Sequence, residues 1–409
     1  MAAASDGVHN KNQSASIIMI KLLKKCFLKP IINSARPDFC EHILDRALLE
    51  KWLVRKTHEP FILELPVPKG CEVDPTAYDS FTTHQRTGFP AQYLVCIPNG
   101  VAAGGGFVRL PTGEFLTEST WRMAYLLGPF GADVYRARYR RHKLHLRGDY
   151  YYLDMLFSVN YSHWFSDELP RLVSALPHLP TTTRFIVSDP FQEYKSQSLV
   201  ALGIGKDRVT PVKGYYEIHC ERLWFATPLG SCEWASTSPQ IFGQIREALL
   251  RAYEATSGPT AERIYISRNV TANKRLANED QLLPLIEKYG FTVVRPEQLS
   301  LAQQVRTFSK ARVVLGAHGA GLTNLLFSRP VGLLLELQDA RFAPRLWYWK
   351  LASMLGHEYS TMTGPVTRSR SESYSYTDFT INPASLEPYL ESSLSPTDGK
   401  PKIQWWVSQ

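Results

Sequence analysis

Short apolar runs alternate with helical patterns from residue 240 to residue 365, and this alternation constrains the fold more than any other feature. Short apolar runs are typical of buried strands, and longer segments of helical periodicity separate them here. The predicted strands are Arg263–Ser267, Phe291–Arg295, Val313–Leu315 and Gly332–Leu337, and the predicted helices are Gln240–Thr256, Glu279–Tyr289, Ala302–Lys310, Gly319–Phe327 and Arg345–Leu355. The series predicts a nucleotide-binding type of half-molecule with a parallel sheet and helices on its faces.

A similar alternation precedes it, from residue 150 to residue 238, and a turn-rich stretch at 227–240 separates the two series. The chain has 409 residues, too many for one ordinary domain. We predict an α/β protein with four parts. They are a leader and helix at 1–59 (helical at 41–58), an N-terminal domain at 60–238 with a β-rich entry, a second domain at 239–365, and a tail at 366–409 whose helix Pro383–Leu394 packs back on the N-terminal domain.

The segment from Val313 to Gln338 carries the strongest local signal for a ligand. An apolar strand leads into small residues and then into a predicted helix, and the small residues are Gly316, Gly319, Ala320 and Gly321. Small residues let a ligand approach the backbone, and the free N–H groups of a helix start suit a diphosphate. His318, Thr323 and Asn324 can add hydrogen bonds. The glycines do not have dinucleotide-fingerprint spacing, and close packing of strand and helix is an alternative reason for them.

Two further elements offer groups to the same ligand. Glu336 ends the next predicted strand, where it can accept ribose hydroxyls or form a structural salt bridge. Ser267 and Arg268 end the strand that starts at Arg263, and Lys274 and Arg275 follow in the loop. Arginine binds phosphate through two parallel hydrogen bonds, so this loop is a candidate phosphate site. A solvated basic loop is the alternative.

A histidine and a carboxylate in the first half provide a candidate base. His163 and Asp167 are four residues apart, which places both on one face of a helix. A carboxylate orients an imidazole and raises its basicity, as a general base requires. His163 is therefore the first candidate for the base, and Asp167 itself is the second. The alternative is a histidine held by its neighbour for structural reasons alone.

Together these motifs resemble glycosyltransferase family 61. The family pattern N-x-x-H-W-x-x-D-x-L-P-R-L is matched from Asn160 to Leu172, I-S-R by residues 266–268, and G-x-H-G-A-G-L-x-N by residues 316–324. The resemblance implies a GT-B fold, in which two Rossmann-like domains face each other across a cleft. We expect residues 60–238 to bind the acceptor and residues 239–365 to bind the donor. It also implies inverting transfer from a nucleotide-diphosphate sugar as co-substrate, with no cofactor and no essential metal. No D-x-D motif is present, so Arg268, Arg275 and the helix start would neutralise the leaving diphosphate.

Charge and composition limit the classes of binding partner and the location that we expect. A net charge of +8 suits a polyanion, but no nucleic-acid motif is present, so we predict no nucleic-acid partner. We expect a glycan, polysaccharide or glycolipid acceptor, in surface polysaccharide biosynthesis. The segment 17–32 combines apolar residues with four lysines, so peripheral membrane contact is one interpretation and a surface helix or leader another. Six scattered cysteines and no evident secretory signal favour a cytoplasmic location.

Two other functions stay open at this point. One is a non-catalytic protein that binds a sugar or partner on a glycosyltransferase scaffold. The other is a nucleotide-dependent α/β enzyme of another class, against which the missing dinucleotide fingerprint argues.

Overall fold

The computed structural model describes residues 39–40, 42–68, 71, 74–103, 106–120, 142–155, 159–189, 191–213, 216–228, 237–255, 257–268, 275–341, 343–369, 377–395 and 404–407. The expectations for the segment 17–32 and for Lys274 lie outside these residues. The protein has a mixed α/β architecture, as the alternation of apolar runs predicts.

The first half is built on a large mixed sheet. Its strands and those of a small hairpin are β1 (Phe39–Cys40), β2 (Val54–His58), β3 (Phe61–Glu64), β4 (Arg86–Phe89), β5 (Gln92–Pro98), β6 (Val101–Ala102), β7 (Val108–Arg109), β8 (Phe115–Leu116), β9 (His142–Tyr152), β10 (Arg184–Asp189), β11 (Val209–Lys213) and β12 (Tyr216–Ala226). The sheet order is β1-β8-β7-β6-β12-β9-β10-β11, with β5 also beside β12 and β2 beside β5. Strands β9 to β12 pair parallel, whereas β5 and β6 pair antiparallel with β12. The predicted parallel arrangement therefore holds for only part of this sheet.

The predicted helix at 41–58 is only half correct. The helix Ile43–Leu49 is present, but the chain turns at Lys51, whose φ is +55°, and continues as β2. β5 offers an antiparallel partner over residues 92–95, and this long-range pairing outweighs local helical periodicity.

The second half contains the predicted parallel sheet. Its strands are β13 (Arg263–Ile266), β14 (Thr292–Val294), β15 (Val313–Ala317), β16 (Leu333–Asp339), β17 (Glu358–Gly364) and β20 (Gln404–Val407), and a hairpin is formed by β18 (Val366–Ser369) and β19 (Thr377–Phe379). All neighbours in the order β14-β13-β15-β16-β17-β20 are parallel. The carboxyl ends of these strands therefore meet at one edge of the sheet, where open α/β sheets bind ligands.

Helices pack around both sheets at nearly the predicted positions. The α-helices are Ile43–Leu49, Pro75–His84, Tyr161–His163, Leu169–Ala175, Glu193–Ala201, Pro239–Tyr253, Glu279–Lys288, Leu301–Phe308, Trp347–Met354 and Pro383–Leu394, with a π-helical turn at Trp164–Glu168. Short 3₁₀ helices span Thr117–Thr120, Leu176–His178, Lys206–Arg208, Pro296–Gln298 and Ala320–Phe327. The last of these replaces the α-helix predicted after Gly319.

The tail does not return to the N-terminal domain, so that prediction is wrong for the described residues. The helix Pro383–Leu394 buries Leu386 and Tyr389 in the same cluster as Leu282 of the second half. The Lys288 ammonium lies 2.6 Å from the Glu387 carboxylate, and β20 extends the parallel sheet beside β17. The apolar face of the tail helix matches that of Glu279–Lys288, and this explains its position.

One hydrophobic core joins the two halves. Trp164 and Phe165 from the first half share a cluster with Phe327 and Trp347 from the second, and the rings of Phe165 and Phe327 are 5.7 Å apart. The helices between the sheets therefore hold the start of the Tyr161–Ala175 region against the carboxyl-end edge of the parallel sheet. The domain boundaries and the GT-B arrangement stay predictions.

Candidate active site

Arginine side chains gather at the carboxyl ends of the parallel strands. The Nη1 atom of Arg268, which follows β13, donates to the carbonyl oxygen of His318 at 2.8 Å. Arg345, which follows β16, forms an ion pair with Asp339. Nε and Nη1 of Arg275 are buried and have no hydrogen-bond partner among the described residues. The fold thus brings the two predicted arginines together and adds Arg345.

The electrostatics of this cluster favour an anion. Burial lowers the pKa of Arg268. Burial and then the positive charges of Arg268 and Arg345 lower the pKa of Arg275 to about 10. Burial is also the main reason why the pKa of His318 is well below its ordinary value, and the positive charges of Arg345, Arg275 and Arg268 lower it further. Since cations are costly to bury side by side, a bound anion would relieve the repulsion between them.

The glycines of the Val313–Gln338 segment serve close packing. A Cβ at Gly319 would overlap Nη1 of Arg268 and lie 2.8 Å from its Cζ. A Cβ at Gly316 or Gly321 would lie 3.2 Å or 3.0 Å from side-chain carbons of Ile266. Gly316 and Gly321 therefore support strand packing, the alternative that the sequence left open, whereas Gly319 makes room for Arg268.

His318 is fixed by Glu336. Its Nδ1 atom lies 2.5 Å from Oε1 of Glu336, while Oε2 accepts from Tyr359 at 2.7 Å and from Gln338 at 3.1 Å. Burial raises the pKa of Glu336 to about 8. Both carboxyl oxygens thus have partners inside the protein, and the arrangement orients His318. The contact of Glu336 with a ribose stays a prediction without geometric support here.

A pocket of about 430 Å³ opens beside Arg268. It lies where β13, β14 and β15 end, and residues of the first half form its opposite wall. Its lining includes Tyr161, Tyr194, Ser267, Arg268, Pro296, Ala320, Gly321 and Asn324. Among the described residues that line it, apolar and aromatic side chains face a few polar groups, a composition that suits a small organic ligand.

The predicted pair of His163 and Asp167 is formed. The Nδ1 atom of His163 lies 2.9 Å from Oδ2 of Asp167, which also accepts from Ser166 at 2.8 Å. The pair spans a π-helical turn, a distortion that is frequent at functional sites. His163 is 7% exposed, and its ring lies edge-on to Trp347. Neither residue of the pair is among those that line the pocket.

Hydrogen bonds join the two residues before His163 to the Val313–Gln338 segment. The Tyr161 hydroxyl donates to Oδ1 of Asn324 at 2.6 Å, and the Thr323 hydroxyl donates to that of Ser162 at 2.9 Å. The amide of Asn324 also donates to Gln304 at 2.9 Å. Asn324 therefore connects the halves from the pocket wall. Its own contact with a donor stays a prediction.

Several residues of the site have no signal in the sequence spacing. Tyr194 lines the pocket, the Tyr348 hydroxyl donates to the carbonyl oxygen of Gly319 at 2.6 Å, and Arg345 lies near His318, each placed there only by the fold. Glu168, beside Asp167, has no exposed surface, and neither carboxyl oxygen has a hydrogen-bond partner among the described residues. Burial raises the pKa of Glu168 well above its ordinary value. A charge motif search cannot separate such a residue from surface glutamates.

The described residues contain neither a candidate metal site nor a membrane-spanning helix. Across these ranges there is no group of three or more His, Cys, Asp or Glu side chains suited to a metal ion. No helix in the described part of the chain is long and apolar enough to cross a membrane.

Comparison with known proteins confirms the resemblance over part of the chain. The family model described as Glycosyltransferase 61 matches residues 161–333. A xylan glycosyltransferase of Arabidopsis thaliana is 28% identical over 95 residues, 22% of this chain and 19% of the relative. An EGF domain-specific O-linked N-acetylglucosamine transferase of Drosophila melanogaster is 32% identical over 145 residues, 34% of this chain and 27% of the relative. The chain thus matches about a fifth to a quarter of the length of these relatives.

Proposed function

We propose, from the premise that residues 161–333 match glycosyltransferase family 61, that this protein is a sugar transferase. It moves a sugar from a nucleotide-diphosphate donor to a hydroxyl of a glycan, polysaccharide or glycolipid. One relative is named as a xylan glycosyltransferase and the other as an O-linked N-acetylglucosamine transferase. Transfer is inverting and independent of metal, and surface polysaccharide assembly is the process we favour.

The observation that carries this proposal is the arginine cluster around His318. The positive charge of Arg345 lowers the pKa of Arg268, and those of Arg268 and Arg345 lower the pKa of Arg275, so the three side chains lie close together at one edge of the parallel sheet. Preorganised cations at a leaving diphosphate stabilise the charge that develops on it as the glycosidic bond breaks. This role needs no bound metal, because three fixed positive charges face the leaving group.

The pocket beside Arg268 would hold the nucleoside. It meets the cluster at Arg268 and Gly319, so a diphosphate on the arginines would place its nucleoside among Pro296, Gly321 and Tyr194. Apolar walls suit a base, and the polar groups at the rim suit ribose hydroxyls. Ser267, Ala320 and Asn324 form part of the same wall.

His163 is the proposed base, with Asp167 as its orienting partner. Since Nδ1 of His163 bonds to Asp167, Nε2 is the nitrogen that takes the proton of the acceptor hydroxyl. The acceptor oxygen bonds to the anomeric carbon while the bond from that carbon to the diphosphate breaks, and the electron pair leaves with the diphosphate. Attack opposite to the leaving group inverts the anomeric centre. The GT-B arrangement supplies two facing halves for these roles.

Binding of the donor is the first test. A thermal-shift screen with nucleotide sugars should show one that stabilises the protein by about 2.7 kcal/mol at roughly 100 times its dissociation constant. At the same ligand concentration the Arg275→Met variant should be stabilised by only about 0.4–1.4 kcal/mol, as expected for affinity that is about 10- to 100-fold weaker. Arg312→Ala, which removes an exposed arginine beside Glu262, should keep the full shift. Absence of any shift with every nucleotide and nucleotide sugar contradicts the proposal.

Turnover separates the proposal from its alternatives. Chromatographic detection of a glycosylated acceptor, unchanged by a metal chelator, is the expected result. Donor binding with only slow hydrolysis and no transfer to any acceptor would favour a non-catalytic binding protein. Copurification of a nicotinamide or flavin would favour another class of nucleotide-dependent enzyme. Vesicle sedimentation of the full chain tests peripheral membrane contact through 17–32, and cell fractionation tests the cytoplasmic location.

A further inference from the structure

Two consecutive aromatic residues contact the two histidines of the site. The Trp347 ring centroid is 5.3 Å from that of His163, with an interplanar angle of 82°. The Tyr348 ring centroid is 5.2 Å from that of His318, at 67°. The helix Trp347–Met354 therefore begins between His163, the candidate base, and His318 of the Val313–Gln338 segment.

The Tyr348 hydroxyl adds polar contacts to both halves. It donates to the carbonyl oxygen of Gly319 at 2.6 Å and also bonds to the hydroxyls of Thr323 and Ser162. Ser162 precedes His163, and Gly319 follows His318 in the chain. One buried hydroxyl thus links the backbone beside one histidine to the residue beside the other.

We propose that Trp347 and Tyr348 are positioning residues that fix the spacing and orientation of His163 relative to His318. The inference rests on the proposed function, in which one histidine serves the acceptor and the other the donor. Trp347 is 5% exposed and Tyr348 2% exposed, and side chains packed this closely cannot change rotamer without displacing neighbours. Because Trp347 and Tyr348 are adjacent on one helical turn, a shift of His163 is resisted by the contact of Tyr348 with His318, and a shift of His318 by the contact of Trp347 with His163.

The rate of sugar transfer depends on the spacing between the two histidines, so a change of spacing can be measured as a change in kcat. Transfer requires the reacting atoms within roughly 3–3.5 Å, and a displacement of about 1 Å can cost about 100-fold in rate. A donor can still bind when the base is misplaced, because the arginines and the pocket do not depend on His163. Loss of positioning should therefore lower kcat and leave donor affinity almost unchanged.

Trp349 provides a matched control on the same helix. It has no exposed surface, its indole N–H donates to the carbonyl oxygen of Pro66 at 2.8 Å, and its ring packs edge-on against Phe81 at 5.0 Å. These contacts are in the first half and involve neither histidine. Trp349→Phe therefore reports what a buried aromatic contributes through core packing alone.

The experiment compares Tyr348→Phe and Trp349→Phe with the wild-type protein. Steady-state transfer gives kcat and the donor KM, calorimetric titration gives the nucleotide diphosphate Kd, and thermal unfolding checks folding. For Tyr348→Phe we expect kcat to fall about 10- to 100-fold with Kd within about 3-fold of wild type. For Trp349→Phe we expect lower thermal stability and kcat within about 3-fold. Trp347→Phe should retain more kcat than Trp347→Leu, because it keeps an aromatic edge at His163.

The outcomes are separable. A folded Tyr348→Phe variant with wild-type kcat overturns the inference, and so does an equal loss of kcat in Trp349→Phe. A parallel loss of kcat and nucleotide affinity in Tyr348→Phe also contradicts it, because the residue would then belong to donor binding. If wild-type protein binds nucleotide but transfers no sugar, the proposed function itself fails.

Discussion

The Nδ1 atom of His318 lies 2.5 Å from Oε1 of Glu336, a carboxyl group with no exposed surface. Burial raises the pKa of Glu336 to about 8 and lowers that of His318 well below its ordinary value. The pair is therefore held close to neutrality beside three arginines. Glu336 determines which nitrogen of His318 faces the arginine cluster. The sequence did not indicate this role, since it suggested for Glu336 either a contact with ribose hydroxyls or a structural salt bridge.

The stability of the protein should fall as the pH rises from about 6.5 to about 8. A carboxyl whose pKa is higher in the folded state stabilises the fold below its unfolded pKa, and this contribution is lost as the pH rises through the folded pKa. Below about pH 6.5 the effect of His318 on stability opposes that of Glu336. The imidazole becomes protonated in the unfolded protein but stays neutral when it is buried, so stability falls as the pH falls. The Glu336 contribution is therefore isolated at about 6.5 to 8, where it amounts to about 1–2 kcal/mol.

Urea unfolding of the wild-type protein and of Glu336→Gln across this pH range measures the effect. The glutamine keeps the shape of the neutral acid but does not titrate, so its free energy of unfolding should lack this slope. Equal pH dependence in both proteins would show that another group is responsible.

Replacement of Gly319 by alanine should weaken the binding of nucleotide diphosphate. The added Cβ would overlap the Arg268 guanidinium, so the contact of Arg268 with His318 must be displaced. We expect a loss of stability of about 1–3 kcal/mol from overpacking. Gly243→Ala is the control, since Gly243 lies in the helix Pro239–Tyr253 with open space around it. That variant should gain about 0.5–1 kcal/mol and bind normally. Normal nucleotide affinity in folded Gly319→Ala would contradict the role of Arg268.

Local periodicity was sufficient for the second half of the fold and insufficient for the first. The strands at Arg263, Val313 and Leu333 are continuous apolar runs, typical of a parallel sheet buried on both faces, and they lie where predicted. The first-half sheet depends on partners distant in the chain. Val54 pairs with Val95, and Phe225 pairs with the same residue from the other side. No local pattern contains such pairings.

The site divides in the same way. His163 and Asp167 are close in sequence, and their hydrogen bond followed from spacing alone. Arg345 could not be predicted, because its place depends on the turn after β16, where its N–H donates to Gln338 at 2.8 Å. The glycines were detected as a motif, but their packing roles required the position of Ile266. Residue types that suit a ligand also suit a tight fold, so only coordinates separate the two.

Arg275→Met should separate stability from function. Nε and Nη1 of Arg275 are buried without a hydrogen-bond partner among the described residues, and Arg268 and Arg345 repel its charge. Removing an uncompensated cation should leave the ligand-free protein equally or more stable. Nucleotide diphosphate should bind about 10- to 100-fold more weakly, since hydrogen bonds from charged groups are worth about 1.5–3 kcal/mol. Calorimetric titration and thermal unfolding measure the two effects. A destabilised variant with unchanged Kd would identify Arg275 as structural.

His163→Ala should lower the rate of sugar transfer about 100- to 10,000-fold, the usual contribution of a positioned general base. Asp167→Asn should cause a smaller loss, because it weakens the orientation of His163 but leaves the imidazole in place. The nucleotide Kd should stay near that of the wild type in both variants, since neither residue lines the pocket beside Arg268. His178→Ala is the control, as His178 ends the 3₁₀ helix Leu176–His178 that follows the same helical segment. Near wild-type kcat in both His163→Ala and Asp167→Asn would exclude this pair as the base and make the other carboxylates of the site the candidates, with Glu168 first.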